Sequence, residues 1–330
     1  MQHVSVIGAG AWGTALALAV FRTHARTTLW SISLEEVDAI NTRHENVYRL
    51  PGIPLDPRIH ATLNPEEAAK ADILLLCPPA QCMRSTCQTF QPFVAPHVPL
   101  VIASKGIENE SCLLMSEVVR EIFPENPILI LSGPSFASDV AKKLPVAVVL
   151  AAENAALCQQ VAPALASPHF RLYTSTDILG VQVGGACKNV MAIACGIAEG
   201  RGLGDSARAA LLTRGLAEIT RLGCAMGARQ ETFLGLSGVG DITLTALSDQ
   251  SRNKSFGMAL GKGTPVQELL ATKDTLTEGV YTVAGAHALG NRFQIHMPLT
   301  AAIHAFLTGQ ENLDTLVDHI LNTPLTLGAE

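Results

Sequence analysis

The sequence predicts an α/β fold: an N-terminal, doubly wound, mostly parallel sheet followed by a C-terminal domain built of helices alone. Three observations carry this. Short apolar runs alternate with helical patterns through the first half, the first run ends in the glycine-rich turn GAGAWG, and convincing strand patterns stop near residue 177. A length of 330 residues suits two domains, with the division expected after residue 180: residues 1–180 as a dinucleotide-binding domain and 181–330 as a helical substrate-binding and catalytic domain.

In chain order, HVSVIG reads as a short buried strand and TALALAVFRTH as a helix; TTLW is the next strand and LEEVDAINTRH the next helix. ADILLLCPP is a strand stopped by prolines, and PLVIASKG, NPILILSGP and LPVAVVLAA are three more. Runs that are apolar throughout, rather than alternating, are expected of parallel strands covered on both faces. Beyond residue 177, SARAALLTRGLAEITRLG places Leu212, Leu216, Ile219 and Leu222 on one helical face, and VQELL, YTVAGAHALG and PLTAAIHAFLTG also read as helices.

Composition excludes several classes of partner. The net charge is −6, from 23 basic and 29 acidic residues, and no run of Lys or Arg stands out, so neither nucleic acid nor an anionic membrane surface is expected as a partner. The eight cysteines include no C-x-x-C pair, and Cys77, Cys82 and Cys87 follow no common zinc spacing. Reduced thiols in a cytoplasmic protein, several of them small buried hydrophobes such as Cys77 and Cys195, and no metal site are expected. The apolar N-terminal stretch has no basic residue before Arg22, unlike a signal peptide. Residues 178–198 are long and apolar enough to suggest a membrane span, but a lysine at the centre would cost about 2.5–3.5 kcal/mol there, which favours a buried core helix.

Gly8, Gly10 and Gly13 form G-x-G-x-x-G between a strand and a helix, the setting in which the motif binds a dinucleotide and marks a Rossmann-type fold. Gly8 permits the tight turn, Gly10 lets the backbone approach a pyrophosphate, and Gly13 lets helix and strand pack closely. The helix N-terminus then favours the negative charge. NAD-binding folds place an acid at the end of the second strand and NADP-binding folds an arginine. Here Ser31, Ile32 and Ser33 occupy that region, with Glu35 and Glu36 expected in the next helix, so NAD and NADP both stay open.

Four polar islands sit at element ends. Lys105 follows a strand, where ligands of open α/β sheets bind. SGPSFA offers backbone N–H groups from a turn. Asp241 opens a helix after GVG, and Ser251, Arg252, Asn253 and Lys254 lie close to another helix start, a combination that suits a phosphate. Each has a plainer alternative: a solvated lysine, an N-cap, a solvated turn. Lys188 is harder to dismiss, because it is the only charge between Asp177 and Glu199 and an unpaired interior ammonium is costly. Gly184, Gly185, Ala192 and Cys195 share its helical face, which leaves room for close approach. A structural Lys–Asp pair is the alternative to a general acid/base beside a hydride path.

These stretches together resemble the bacterial-type NAD(P)-dependent glycerol-3-phosphate dehydrogenase family. The resemblance spans nearly the whole chain and rests on VIGAGAWGTALA, ASKGIE, LSGPSFA, GVQVGGACKNVMAIACGIAEG, GLGDSARAALLTRGLAEITRLG, GLSGVGDITLT, QSRNKSFGMALGKG and EGVYT, the last five being the more specific. It implies reversible reduction of dihydroxyacetone phosphate to sn-glycerol 3-phosphate for phospholipid synthesis, by a cytoplasmic homodimer using NAD or NADP. It implies Lys188 as proton donor and acceptor and Asp241 as a second catalytic residue. Lys105, Gly133, Ser135, Lys188, Asp241, Ser251, Arg252 and Asn253 would surround the substrate. Gly8, Gly10, Ala11, Trp12, Gly13, Lys105, Ala137, Arg252 and Glu278 would contact the cofactor. The chain departs from the family after LW, where a basic residue is frequent. A reductase of another phosphorylated or carboxylated carbonyl compound, or a non-catalytic dinucleotide sensor, would share the glycine turn; the sensor would not need Lys188 or Asp241.

Overall fold

A computed structural model describes residues 2–271 and 278–322. The chain divides into two compact units, one comprising the residues up to Lys105 with Leu113–Gln182, the other Gly106–Cys112 with the described residues from Val183 onward.

The first unit is built on eight strands: β1 (His3–Ile7), β2 (Arg26–Trp30), β3 (His60–Thr62), β4 (Ile73–Leu76), β5 (Leu100–Ile102), β6 (Ile128–Ser132), β7 (Val146–Ala152) and β8 (Phe170–Ser175). They form one sheet in the order β3-β2-β1-β4-β5-β6-β7-β8. All neighbours are parallel except β6 and β7, where Leu129 faces Ala152 in antiparallel register. The central strands carry continuous apolar runs because both sheet faces are covered: Val6, Leu75, Val101 and Leu129 on one face and Ile7, Leu74, Leu100 and Ile130 on the other are all essentially inaccessible. The six runs expected as strands are β1, β2, β4, β5, β6 and β7. The two strands that periodicity misses are the sheet's edges. β3 has three residues, and β8 (FRLYTS) is mostly solvent-facing, so neither presents an apolar run.

The chain order reverses between β1 and β4, whose register pairs Ile7 with Leu76. A crevice beyond the carboxyl ends of strands at such a switch point is where open α/β sheets hold ligands.

Among the described residues, the second unit contains helices and no strand. Helix Ile178–Gly200 passes from the first unit into the second. It is long and apolar enough to cross a membrane, yet its most apolar window is 89 % buried within the protein. Within the second unit its glycines admit the backbones of neighbours. A Cβ on Gly184 would meet the Ser237 carbonyl oxygen at 2.3 Å, and one on Gly196 the Lys254 carbonyl oxygen at 2.2 Å. The fit is reciprocal: in helix Arg252–Gly261, Cβ atoms on Gly257 and Gly261 would lie 2.2 and 2.4 Å from the carbonyl oxygens of Ile193 and Ile197. Of the lightly built face, Gly184 is thus packed against protein backbone. Ile107, from the short segment that joins this unit, packs within 2.6 Å of where a Cβ of Gly285 would stand, on helix Glu278–Arg292.

Candidate functional site

In the first unit the site begins at the glycine turn. Gly8 has φ +115°, a conformation in which a side chain is strained, and its N–H donates to the Trp30 carbonyl at 3.0 Å, joining the turn to the end of β2. Gly13 cannot carry a side chain, since its Cβ would fall 1.9 Å from the Gly8 carbonyl oxygen. Gly10 differs: it is the N-cap of helix Ala11–Phe21, with ordinary extended backbone, and a Cβ there would meet nothing within 4 Å. The open volume over Gly10 is the cradle a pyrophosphate needs. No side chain caps the helix, which leaves its first N–H groups for an anion. These residues fit a dinucleotide.

Around the turn, Ala11 and Trp12 begin the helix, and the Trp12 indole Nε1 donates to the Ala103 carbonyl, just past β5, at 3.2 Å. Two residues further on, Lys105 Nζ donates to the Gly133 carbonyl at 3.1 Å, which also accepts from Ser135 Oγ at 3.1 Å. Gly133 has φ +140° and abuts Val148 so closely that a Cβ would come within 2.9 Å of its Cα. Lys105, Gly133 and Ser135 thus form one cluster beyond β5 and β6, and Ala137 opens helix Ala137–Ala141 just after it.

The end of β2 holds more than the serines suggest. Ser31 Oγ donates to Glu36 Oε2 at 2.5 Å, and Arg49 Nε donates to Glu36 Oε1 at 2.7 Å. Ser33 caps helix Leu34–Asp38, accepting from Glu36 N and donating to Glu35. Both hydroxyls are therefore engaged within the protein. A carboxylate does reach this strand end, from the following helix. Asn46, fully buried, donates to the Ala9 carbonyl at 2.8 Å and to Thr14 Oγ1 at 2.9 Å, so the loop carrying Arg49 is tied to the glycine turn itself. Asn46 and Arg49 escaped the sequence analysis because neither belongs to a periodic pattern, and Asn46 lies 37 positions from its partner.

In the second unit Lys188 is 8 % exposed, Asp241 is inaccessible, and Lys188 Nζ donates to Asp241 Oδ1 at 2.5 Å. Asp241 is the first residue of helix Asp241–Leu247, and Gly240 rather than Asp241 is its N-cap. The two remaining N–H donors of Lys188 make no hydrogen bond to any described residue. A buried ammonium with spare donors can hold an electronegative oxygen while remaining oriented by its carboxylate partner.

The phosphate-suited cluster separates into parts. Ser251 caps helix Arg252–Gly261, its Oγ accepting from Lys254 N at 3.2 Å. Arg252 is exposed and makes no hydrogen bond or ion pair with any described residue, which leaves its whole guanidinium available. Asn253 Oδ1 accepts from Gly279 N at 2.9 Å and so fixes the start of the helix that Glu278 opens. Lys254, grouped with these by sequence, turns inward. It is 3 % exposed and pairs with Asp249 at 2.7 Å and Glu199 at 3.0 Å. Burial pulls its ammonium down, and the two carboxylates outweigh this and raise it above the usual lysine value. Lys254 is a structural cation.

Four of the cysteines are inert by environment: burial pushes the thiols of Cys87, Cys187 and Cys195 up to about 12 and raises that of Cys77. Among the described residues no group of three or more His, Cys, Asp or Glu could hold a metal ion.

Comparison with known proteins agrees over nearly the whole chain. The sequence pattern of the NAD-dependent glycerol-3-phosphate dehydrogenase N-terminus matches residues 3–158, and that of the C-terminus matches residues 177–318. The glycerol-3-phosphate dehydrogenase [NAD(P)+] of Rhodospirillum rubrum is 49 % identical over 98 % of this chain and 93 % of its own length. That of Parvibaculum lavamentivorans is 46 % identical over 98 % and 97 %. The crystal structure of glycerol-3-phosphate dehydrogenase from Coxiella burnetii superposes with a TM-score of 0.93 at 35 % identity, covering 97 % of this chain and 99 % of that one. On these matches, the chain belongs to the NAD-dependent glycerol-3-phosphate dehydrogenase family.

Proposed function

We propose that this protein interconverts dihydroxyacetone phosphate and sn-glycerol 3-phosphate with NAD(P), supplying the glycerol phosphate used in phospholipid synthesis. The observation that carries it is Lys188: a nearly buried ammonium, oriented by Asp241, with two donors unengaged among the described residues. Family membership supports the substrate, and the unengaged guanidinium of Arg252 at a helix start supports recognition of its phosphate.

In this mechanism Lys188 Nζ donates a hydrogen bond to the substrate carbonyl oxygen and passes it a proton as negative charge develops there. In the reverse direction the neutral amine takes the proton from the C2 hydroxyl. Asp241 holds Nζ in place and stabilises its charged form. Arg252, Ser251 and Asn253 bind and orient the phosphate end. Gly8, Gly10, Gly13, Ala11, Trp12 and Ala137 are assigned to the dinucleotide, Lys105 to both ligands, Gly133 and Ser135 to the substrate, and Glu278 to the cofactor. When bound, the nicotinamide ring supplies or accepts the hydride. We assign the dinucleotide role mainly to residues 1–180, with Arg252 and Glu278 added from beyond, and the substrate and catalytic role mainly to 181–330. The proposal includes a cytoplasmic homodimer, which rests on the family resemblance.

The direct experiment is oxidation of NADH and of NADPH, in parallel, with dihydroxyacetone phosphate and with dihydroxyacetone. Turnover should require the phosphate ester. No oxidation of either coenzyme would remove the assignment.

A further inference from the structure

We infer that Arg49, carried on Glu36, recognises the 2′-phosphate of NADPH, so that this chain prefers NADPH to NADH; the inference rests on the dinucleotide-binding assignment above. A fold of this kind reads the adenosine ribose at the carboxyl end of β2, with an acid for a free hydroxyl and a cation for a phosphate. In this sequence Ser31, Ile32 and Ser33 follow β2 and supply neither. The structure supplies both from elsewhere and arranges them unequally.

Glu36 lies beneath. Its side chain is 8 % exposed, and each of its oxygens already accepts a hydrogen bond, one from Ser31 Oγ and one from Arg49 Nε. Arg49 lies above, 59 % exposed, spending only Nε on Glu36. Its two terminal amino groups make no hydrogen bond to any described residue. The group presented to solvent at the end of β2 is thus a guanidinium whose outer edge has the fork geometry that suits a phosphate.

The guanidinium is held in register by the loop it sits on. Arg49 N donates to Asn46 Oδ1 at 3.2 Å, and the amide of Asn46 is bonded to Ala9 and Thr14 of the glycine turn and its helix. The residue that faces the ribose end is therefore braced directly on the element assigned to the pyrophosphate. An ordered cation loses less side-chain freedom on binding than a loose one.

The test uses calorimetric binding to the intact protein of adenosine 2′,5′-bisphosphate, 5′-AMP, NADPH and NADH. The wild-type chain should bind the bisphosphate about tenfold or more tightly than 5′-AMP, in line with a charge-assisted phosphate contact. Arg49→Gln, which keeps a donor for Glu36 but removes the charge, should abolish that difference and weaken NADPH about tenfold, while 5′-AMP binding shifts less than about twofold. Arg49→Lys should restore part of the preference as a point charge. Arg49→Gln with an unchanged ratio of NADPH to NADH affinity would overturn the role of Arg49, and so would a wild-type chain indifferent to the 2′-phosphate. A wild-type chain that binds neither dinucleotide would instead overturn the dinucleotide assignment on which this rests.

Discussion

At position 188 a single side chain meets two demands, since a buried ammonium has to be compensated and a proton donor has to stay reachable. Asp241 answers the first, and the two donors it leaves unused answer the second. Lys188→Ala should lower kcat about 10²–10⁴-fold while leaving dinucleotide binding intact, checked by steady-state kinetics beside calorimetry. The same change removes the cation from beside the buried Asp241 carboxylate, at about 3–5 kcal/mol of stability. Adding Asp241→Asn should recover stability in urea titrations without recovering turnover; a double variant that turned over normally would leave the pair purely structural. Arg252→Ala should weaken phosphate-dependent substrate binding by about 1.5–3 kcal/mol, read as a raised KM with thermal stability unchanged, because the residue is exposed and engages no described neighbour. Lys188 was legible in sequence because a lone charge in an apolar helix violates an otherwise strict pattern. Lys254 was misread because its neighbours in sequence are polar, whereas its partners Glu199 and Asp249 include one 55 positions away.

Among elements, the glycine turn separates conformational need from ligand need. Gly13 is required by packing and Gly10 by nothing in the protein itself. Gly10→Ala should therefore melt as the wild type does yet fail to bind dinucleotide, since the methyl group occupies the cradle. Gly13→Ala should lose about 1–3 kcal/mol or more of stability as the helix is pushed off β1. Equal melting of both variants would contradict the geometry. Strands buried on two faces were readable from their apolar runs; β3 and β8 were not, because an edge strand is covered on too few sides to need them. The reversal at β7 was equally unreadable, since its residues are as apolar as those of β6 and only pairing fixes direction.

For the whole molecule, stability carries a pH signature from the second unit. Glu218, on helix Gly204–Ala225, accepts from Leu299 N at 2.6 Å and from Thr300 N and Oγ1, closing the start of helix Pro298–Leu307. Burial pushes its carboxyl above the ordinary glutamate value, against those hydrogen bonds, which pull it down. Between the unfolded value and the raised folded one, the native protein holds a proton that the unfolded chain has released, so this group's stabilising contribution is lost as pH rises through that window. Glu218→Gln should remove the loss: the urea midpoint of the wild type should fall relative to the variant as pH rises above the ordinary glutamate value. A constant difference across that range would show that Glu218 keeps its ordinary value.

By itself the sequence determined the α/β class, the helical second half, the glycine turn and the singular lysine, because each is a local departure from or conformity to a periodic pattern. Only the tertiary structure decided that Asp241 is the carboxylate under Lys188, that Lys254 turns inward, and that Glu36 and Arg49 occupy the end of β2. Those pairings join residues whose neighbours along the chain say nothing of each other. Burial and charge compensation select them only once the backbone has brought them within hydrogen-bonding distance.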